Sequence, residues 1–264
     1  MSVAIVISTS SSEVRFLRAQ LNECCKFAAF VAVTFGTLRF DGVTPENTEQ
    51  IEEIAREWPH VCFLRYEVVS PDKYDNPLTS RPGAFWHNIS RIVGARVINK
   101  HLDWIMFLDG DEIPDGDAFG KWKTKMLRSN PPPNKGYAFA NYWYFREPIY
   151  RAITVEQSVM LLPTKLFSTP HYMWQILMND SERQGLFGYL DLEQYAVSLD
   201  GVPMIHHYSW VRSKEHALAK VASWGHKDDK PWAQLIEQTW DRPFDWTDFV
   251  HGYEYEEVEN RFDV

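Results

Sequence analysis

Short apolar runs alternate with amphipathic stretches through the first 108 residues, and this alternation narrows the fold more than any other feature of the chain. The runs have the length of buried strands, whereas the stretches between them carry apolar residues at helical spacing. Strands are predicted at 3–7, 27–35, 61–69 and 104–108, and helices at 13–25, 45–58 and 84–100. The alternation predicts an α/β fold, in which a mainly parallel sheet carries helices on both faces.

The second half of the chain has a different pattern. Three prolines at 131–133 precede aromatic and β-branched runs over 136–163, which predict antiparallel or mixed strands. The final third is predicted to be helical and aromatic, with a helix around 214–224. At 264 residues the chain fits one domain, 1–264, with a first part over 1–130 and a second part over 131–264.

The apolar run Trp104 to Leu108 ends in Asp109-Gly110-Asp111, which is the most informative chemical motif. Open α/β sheets bind ligands beyond the carboxyl ends of their strands, where these two carboxylates are expected. Carboxylate oxygens suit Mg²⁺ or Mn²⁺, and such ions usually bridge to substrate phosphates. A bare Asp-x-Asp also fits an ordinary turn. The motif therefore predicts a metal-dependent site for a nucleoside diphosphate only when its surroundings agree.

The composition limits the partners and the compartment. The net charge is −9, and an acidic chain lacks the extended basic surface that binds nucleic acid backbones. Cys24, Cys25 and Cys62 match neither a disulfide framework nor a metal-ligand pattern, and they suit a reducing compartment. No signal-peptide pattern follows Met1, and the longest apolar stretch, 27–35, is too short to span a bilayer. We expect a cytoplasmic chain with no transmembrane segment, and the composition leaves its oligomeric state open.

Four features occur in the order found in one enzyme family. The first feature is a strand over 3–7 that is followed by a small polar loop and a helix. The second is a predicted helix that contains Gly83-Ala84-Phe85-Trp86-His87-Asn88-Ile89 and Gly94-Ala95. The third is the strand over 104–108, and the fourth is Asp109-Gly110-Asp111-Glu112 at the end of that strand. The first 115 residues thus resemble the nucleotide-binding half of GT-A glycosyltransferases, especially family 2-like ones. The spacing from Asn88 to Asp109 makes the resemblance more specific. The chain departs from the family at His87, where Arg is usual, and at Thr34-Phe35-Gly36-Thr37, where an Asp pair is usual.

The resemblance implies a GT-A fold and transfer of a sugar from a UDP- or GDP-sugar to an acceptor hydroxyl, such as that of a glycan. The part over 1–130 would bind the nucleotide sugar, and the part over 131–264 would bind the acceptor. Mn²⁺ or Mg²⁺ would be held by Asp109 and Asp111. The residues implied to contact the nucleotide sugar are Ser8, Thr9, Arg15, Asn88 and Asp109. Family 2-like enzymes are mostly inverting, so inversion at the anomeric carbon is expected.

A second polar cluster follows the predicted strand 202–205, which carries His206 and His207 to its end. Many GT-A enzymes use a late histidine as a further metal ligand, followed by basic residues that neutralise the leaving diphosphate. Adjacent residues of a strand point to opposite faces, so at most one of the two histidines is a ligand, and we favour His207. Arg212 and Lys214 are the corresponding basic residues, and we expect them to matter more for chemistry than for folding.

An inverting transfer also needs a carboxylate base on the face opposite the leaving group. Asp191 and Glu193 are the candidates, because they follow the metal motif at a distance that lets the acceptor half of the chain fold back to it. Each could also be an ordinary carboxylate in contact with solvent. The aromatic run 142–145 and Trp174 would line an acceptor pocket, although core packing explains the run equally well.

Two other classes of function fit parts of the sequence. A nucleotidyltransferase also uses carboxylate-held Mg²⁺, but it normally grips its triphosphate with a Gly- and Lys/Arg-rich loop after the first strand. Here that loop, 8–12, is rich in serine and has only Arg15 nearby. A non-catalytic carbohydrate-binding protein would use the eleven tryptophans as stacking platforms, but it would not need Asp109, Asp111 and His207 together. Glycosylation of modified DNA is disfavoured by the acidic charge.

Overall fold

The computed structural model describes residues 2–68, 82–129, 131–132, 135–167, 191–223 and 229–264. The strands in these ranges are β1 (Val3–Ser8), β2 (Phe30–Gly36), β3 (Cys62–Tyr66), β4 (Trp104–Asp109), β5 (Glu112–Pro114), β6 (Lys135–Phe145), β7 (Tyr150–Pro163), β8 (Asp191–Ala196), β9 (Ile205–Trp210) and β10 (Tyr255–Glu257). The helices are α1 (Val14–Cys25), α2 (Glu49–Glu57), α3 (Pro82–Arg96), α4 (Gly116–Ser129), α5 (Lys214–Ser223) and α6 (Trp232–Thr239). A short 3-10 helix, Thr164–Phe167, follows β7.

One sheet runs through both parts of the chain in the order β3-β2-β1-β4-β7-β6-β9-β5. The first four strands are parallel, as the alternating pattern predicts. Beyond them β7 is antiparallel to β4 and to β6, whereas β8 and β9 both run parallel to β6. The α/β fold class is therefore confirmed, with a parallel first part and a mixed second part.

The central strand β1 explains why the sheet is covered on both sides. All six of its residues are buried. Ile5 and Ile7 pack with Leu17 and Leu21 of α1 on one face, in a core that α2 and α4 also join. Ala4 and Val6 pack on the other face beneath α3. Helix α3 lies so close that a Cβ atom on Gly94 would overlap a methyl group of Val6.

Every strand and helix predicted in the first 108 residues forms, with shifted ends. Strand β2 starts at Phe30 rather than 27, because 27–29 close the turn after α1 with backbone hydrogen bonds to Cys24 and Val3. Helix α2 starts at Glu49 rather than 45, because Pro45 pairs with Leu38 in an isolated bridge. The predicted loop over 71–82 lies outside the described residues apart from its last position.

The second part departs further from the sequence-based expectations. The predicted strand 202–205 is wrong in its limits, because β9 spans Ile205–Trp210 and so contains both histidines rather than ending before them. The final third holds α5 and α6, but β10 also forms there and pairs with β7. Within the described ranges, none of the helices combines the length and apolar character that a membrane-spanning segment needs.

Candidate functional site

The candidate site lies where the sheet order reverses, at the carboxyl ends of β1 and β4. The chain passes from β3 at the edge back to β4 on the other side of β1, and Ser8 of β1 is in register with Asp109 of β4. Ligands of open α/β sheets bind at such a switch point because the loops diverge there and leave a crevice. The Asp109-Gly110-Asp111 motif stands at this position.

Asp109 is held by helix α3. One carboxylate oxygen, Oδ1, lies 2.8 Å from His87 Nε2 and 2.7 Å from Arg91 Nη2. His87 and Arg91 are four positions apart and so share one face of the helix. Burial acts to raise the pKa of Asp109, but the charges and hydrogen bonds of Arg91 and His87 hold that pKa well below its ordinary value. Asp109 is therefore an ionised carboxylate at neutral pH.

The turn after Asp109 packs closely against Thr9 and Glu13 and is held by hydrogen bonds from Gln20. A Cβ atom on Gly110 would lie 2.7 Å from Thr9 Oγ1 and 2.8 Å from Glu13 Oε2, so a side chain does not fit. Gln20 of α1 donates to the carbonyl oxygens of Asp109 and Glu112, at 2.8 and 2.7 Å. These contacts seat the motif against the loop that follows β1.

Asp111 is buried and is surrounded by nitrogen atoms. Its Oδ2 lies 3.0 Å from Arg212 Nη2 and 3.5 Å from Lys220 Nζ, and its Oδ1 lies 3.4 Å from His207 Nε2. Burial acts to raise the pKa of Asp111, but Lys220, His207 and Arg212 together lower it below its ordinary value. The Asp111 carboxylate is therefore ionised and is the centre of a buried charge cluster.

Arg212 joins the cluster to the first loop of the chain. Its side chain is 1% exposed. Nε donates to the Ser209 carbonyl at 2.8 Å, Nη1 donates to the Ser12 carbonyl at 3.2 Å, and Nη2 also lies 3.3 Å from Glu13 Oε1. A guanidinium with this many partners has a fixed position.

Three further groups of the cluster have shifted pKa values. Burial, followed by the charge of Asp111, raises the pKa of Glu13 to about 7. Burial, followed by the charge of Asp109, raises the pKa of Glu112 to about 7. Burial, followed by the charge of Arg212, lowers the pKa of Lys220 to about 8. At neutral pH the two glutamates are partly protonated, and Lys220 is still mainly a cation.

The two adjacent histidines face opposite sides of β9, as the strand geometry predicts. His207 faces Asp111, and its ring packs against Trp143 with centroids 4.7 Å apart. His206 faces away, and its Nδ1 lies 2.8 Å from the Tyr144 hydroxyl. Burial, together with the charges of Arg261 and Arg151, lowers the pKa of His206 to about 3, so this ring is neutral.

The sequence-predicted residues divide into those that meet at the switch point and those that do not. Residues at the switch point are Ser8, Thr9, Asp109, Asp111, His207 and Arg212. Asn88 is buried on α3 beside His87. Arg15 is exposed on α1 with its guanidinium 5.0 Å from the Phe16 ring, and Lys214 pairs with Asp241 and Glu237 near α6.

Asp191 and Glu193 are not brought to the switch point. Both belong to β8, in register with Lys135 and Tyr137 at the amino end of β6, whereas β9 continues along the other half of β6. The Glu193 carboxylate is half exposed, and its nearest cation is Lys135 at 3.4 Å. Trp174, the other predicted acceptor residue, lies outside the described residues.

Sequence reasoning missed four residues of the cluster: Glu13, His87, Arg91 and Lys220. Three of them left a signal. His87 stands where the resembled family has arginine, and Arg91 follows it by one helical turn, so both side chains can face the same carboxylate from α3. Lys220 sits between Ala217 and Val221 on the buried side of α5, and a lysine within an apolar helix face is a mark of a buried partner.

Asp111 and His207 fit two positions around a divalent ion. Two ligand atoms bound to one such ion, each about 2.1 Å from it, are about 3 Å apart, and Asp111 Oδ1 and His207 Nε2 are 3.4 Å apart. Mg²⁺ and its relatives often use only one or two protein carboxylates and take the remaining oxygens from substrate phosphates and water. Asp109, whose Oδ1 is held by α3, lies one residue from Asp111, but its oxygens do not come within 4.8 Å of both of these ligand atoms.

A second acidic group lies elsewhere and has a structural explanation. Across the described ranges, Glu23, Asp115 and Asp117 form the one group of three whose ligand atoms all lie within 4.8 Å of one another. They surround the start of α4, where Glu23 accepts from the backbone N–H of Gly116. Lys26 pairs with Glu23 and Asp117, and Arg261 pairs with Asp115. Negative charge at a helix amino end is stabilising, so the group serves α4.

Comparison with known proteins gives remote structural similarity only. No protein-family model and no curated protein sequence matches the chain. The glycosyltransferase GlyE of Streptococcus pneumoniae matches with 10% identity and a TM-score of 0.41, over 79% of this chain and 54% of GlyE. The chain thus spans about half the length of GlyE.

Two further solved structures show the range of enzymes with a similar architecture. The mannosyltransferase PcManGT of Pyrobaculum calidifontis, solved with GDP-Man and Mn²⁺, matches with 12% identity and a TM-score of 0.43, over 89% of this chain and 68% of that protein. A cytidylyltransferase of Leptospira borgpetersenii matches with 14% identity and a TM-score of 0.42, over 84% and 86% of the two chains.

Proposed function

We propose that the chain is a GT-A-type glycosyltransferase that moves a sugar from a nucleoside diphosphate donor to an acceptor hydroxyl. The observation that carries the proposal is the environment of Asp111, which stands at the switch point with His207 on one oxygen and Arg212 and Lys220 on the other. A buried carboxylate and imidazole suit a divalent ion, and two buried cations beside them suit a diphosphate.

The chemistry follows from this charge arrangement. The bond between the anomeric carbon and the diphosphate breaks, so negative charge grows on the leaving phosphate oxygen. Arg212 and Lys220 stabilise that charge strongly because little water screens them in a buried site. Asp111 and His207 would hold a Mn²⁺ or Mg²⁺ ion, which would supply Lewis-acid stabilisation of the leaving diphosphate. Asp109 is oriented by His87 and Arg91, so it keeps its place before the substrate arrives.

The first loop favours sugar transfer over nucleotidyl transfer. A nucleotidyltransferase needs cationic groups after the first strand to hold a triphosphate, whereas this loop directs Glu13 toward the cluster. Ser8 and Thr9 are also small and offer no charge. The partners that follow from the proposal are a UDP- or GDP-sugar and a glycan or other hydroxyl acceptor. Single displacement without a protein nucleophile would invert the anomeric configuration, which NMR of the product linkage reports directly.

Titration calorimetry with UDP and GDP tests the proposal, each with Mn²⁺ and with excess chelator. We expect binding with the metal and little binding with the chelator. Asp111→Asn should abolish the metal-dependent part of the binding, because an amide is a weaker ligand and carries no charge. Asp200→Asn, in an exposed turn, is the matched control and should bind as the unchanged protein does. Equal affinity with metal and with chelator would contradict the proposal.

A further inference from the structure

A second pair of a histidine and a carboxylate, His251 and Glu156, lies near the cluster and contacts the same tryptophan, Trp143, as His207 does. His251 Nδ1 lies 3.2 Å from Glu156 Oε1. The His251 ring packs against Trp143 with centroids 4.8 Å apart, and the His207 ring packs against the same indole at 4.7 Å. His251 is thus one side chain away from the proposed metal ligand, although it lies 44 positions later in the sequence.

The geometry of this pair fixes which nitrogen of His251 is basic. Glu156 Oε1 accepts a hydrogen bond from the Tyr253 hydroxyl at 2.9 Å, and it faces His251 Nδ1. A carboxylate beside Nδ1 holds the proton on that nitrogen and leaves Nε2 with a free lone pair, which is the arrangement of a general base. The His251 side chain is 33% exposed, so a substrate can reach it.

The loop that carries His251 is built to hold it still. The buried carboxylate of Asp248 accepts hydrogen bonds from the backbone N–H groups of 250–253 and from the Tyr255 hydroxyl. One side chain thereby fixes the path of the whole turn. The His251 ring contacts the rings of Trp143 and Tyr253, whose centroids lie 4.8 and 4.9 Å from its own. A base that is fixed in advance loses little entropy when it reacts.

An exposed aromatic side chain marks the same surface. Tyr195 is 52% exposed, and its backbone has a φ of +52°, a conformation that bulky residues rarely adopt. Its N–H donates to the side-chain oxygen of Gln157 at 3.2 Å. The phenol group of Tyr195 is close enough to Tyr253 to add to burial and Glu156 in raising the pKa of Tyr253. Strained backbone persists where the surrounding structure holds it, often at ligand sites. Tyrosine rings offer flat apolar faces with a polar edge, and such faces suit a sugar ring.

We propose that His251, oriented by Glu156, takes the proton from the acceptor hydroxyl, and that the acceptor binds along Tyr253 and Tyr195. This inference rests on the proposed function. The acceptor oxygen forms a bond to the anomeric carbon while the bond from that carbon to the diphosphate oxygen breaks. The bonding pair leaves with the phosphate, and the hydroxyl proton goes to His251 Nε2. In this scheme His251 is the catalytic residue, and Glu156 is a positioning residue.

The test uses the full chain with Mn²⁺ and follows release of nucleoside diphosphate from a panel of UDP- and GDP-sugars, with water and a panel of saccharides as acceptors. His251→Ala should lower kcat by about 100-fold or more while the Kd for the nucleoside diphosphate stays within about twofold, since general base catalysis contributes roughly 10² to 10⁴. Added imidazole should restore part of the turnover, which a merely structural loss would not allow.

Glu156→Gln is the second variant, and it keeps the size of the side chain if His251→Ala does not fold. It should lower kcat with unchanged nucleotide affinity, because the His251 tautomer is no longer fixed. His101→Gln is the control, since His101 is exposed in the loop before β4 at the opposite edge of the sheet. Unchanged turnover in both variants would overturn the inference, as would nucleotide binding without any turnover in the unchanged protein. If the unchanged protein does not bind the nucleoside diphosphates with Mn²⁺, the proposed function itself is overturned.

Discussion

Arg212 is the residue that connects the parts of the candidate site. The sequence led us to expect a basic residue that serves chemistry more than folding. The structure makes it a buried group with partners in two loops, next to the carboxylates of Asp111 and Glu13. Removing a buried cation leaves its carboxylate partners desolvated and without compensation, and this penalty exceeds the value of the pair itself.

Arg212→Ala should therefore destabilise the fold as well as the reaction. We expect a loss of about 3–5 kcal/mol in the free energy of unfolding, the usual cost of breaking a buried pair. Urea unfolding, followed by tryptophan fluorescence, measures it. Arg212→Lys is the matched variant, which keeps the charge but not the planar fork, and its loss should be smaller. An Ala variant as stable as the unchanged protein would mean that Arg212 is solvated in solution.

Helix α5 directs two lysines, which look alike in the sequence, to different partners. Lys214 and Lys220 are six positions apart, which is about 240° around a helix, so they face different surroundings. Lys220 faces inward to Asp111 and the Ser209 carbonyl, whereas Lys214 faces Asp241 and Glu237 beside α6. The cationic role predicted for Lys214 thus has a better-placed candidate on the same helix.

Paired substitutions on α5 test this assignment. Lys220→Met should weaken binding of the nucleoside diphosphate with Mn²⁺ and lower kcat, because a buried charge beside the phosphate is lost. Lys214→Met should leave both quantities unchanged, since its partners lie at the surface. Calorimetry and a turnover assay on the two variants give the comparison. The reverse order of effects would return the phosphate contact to Lys214.

A buried glutamate and a buried histidine make the stability of the protein depend on pH in opposite directions. The pKa of Glu112 is raised to about 7 from 4.5, so the folded state binds more protons than the unfolded state between these values. Its contribution is present at low pH and is lost as the pH rises through that window. The pKa of His206 is lowered to about 3 from 6.5, so its contribution is present above 6.5 and is lost as the pH falls.

Urea unfolding between pH 4 and 8, in the presence of chelator, should resolve the two windows. Each group changes the free energy of unfolding by up to about 1.4 kcal/mol per pH unit within its window. The two windows overlap, so between about pH 4.5 and 6.5 Glu112→Gln should make the slope of stability against pH more positive, and His206→Gln should make it more negative. A Glu112→Gln profile that runs parallel to that of the unchanged protein above pH 5 would show that Glu112 is ionised as in water.

Local sequence patterns predict the first part of this fold well and the site only in part. The runs at 3–7 and 104–108 are apolar throughout because both faces of their strands are covered, so their burial is visible in the sequence. The partners of Lys220 and His251 are not visible in the sequence, because each lies more than ninety positions away. The position of Glu193 also depends on register, since β8 and β9 share the same side of β6 and only one of them reaches the switch point.

The hydrogen bond from Arg212 to the Ser12 carbonyl joins positions 200 residues apart, and this has a consequence for synthesis. A nascent chain exposes its first strands early, and these can collapse into a parallel sheet with Asp109 and Asp111 in place. Arg212 and Lys220 reach those carboxylates only after about a hundred further residues have been synthesised, since they follow Asp111 by 101 and 109 positions. Partly made chains would therefore carry the two carboxylates without the cations that lie beside them in the folded protein.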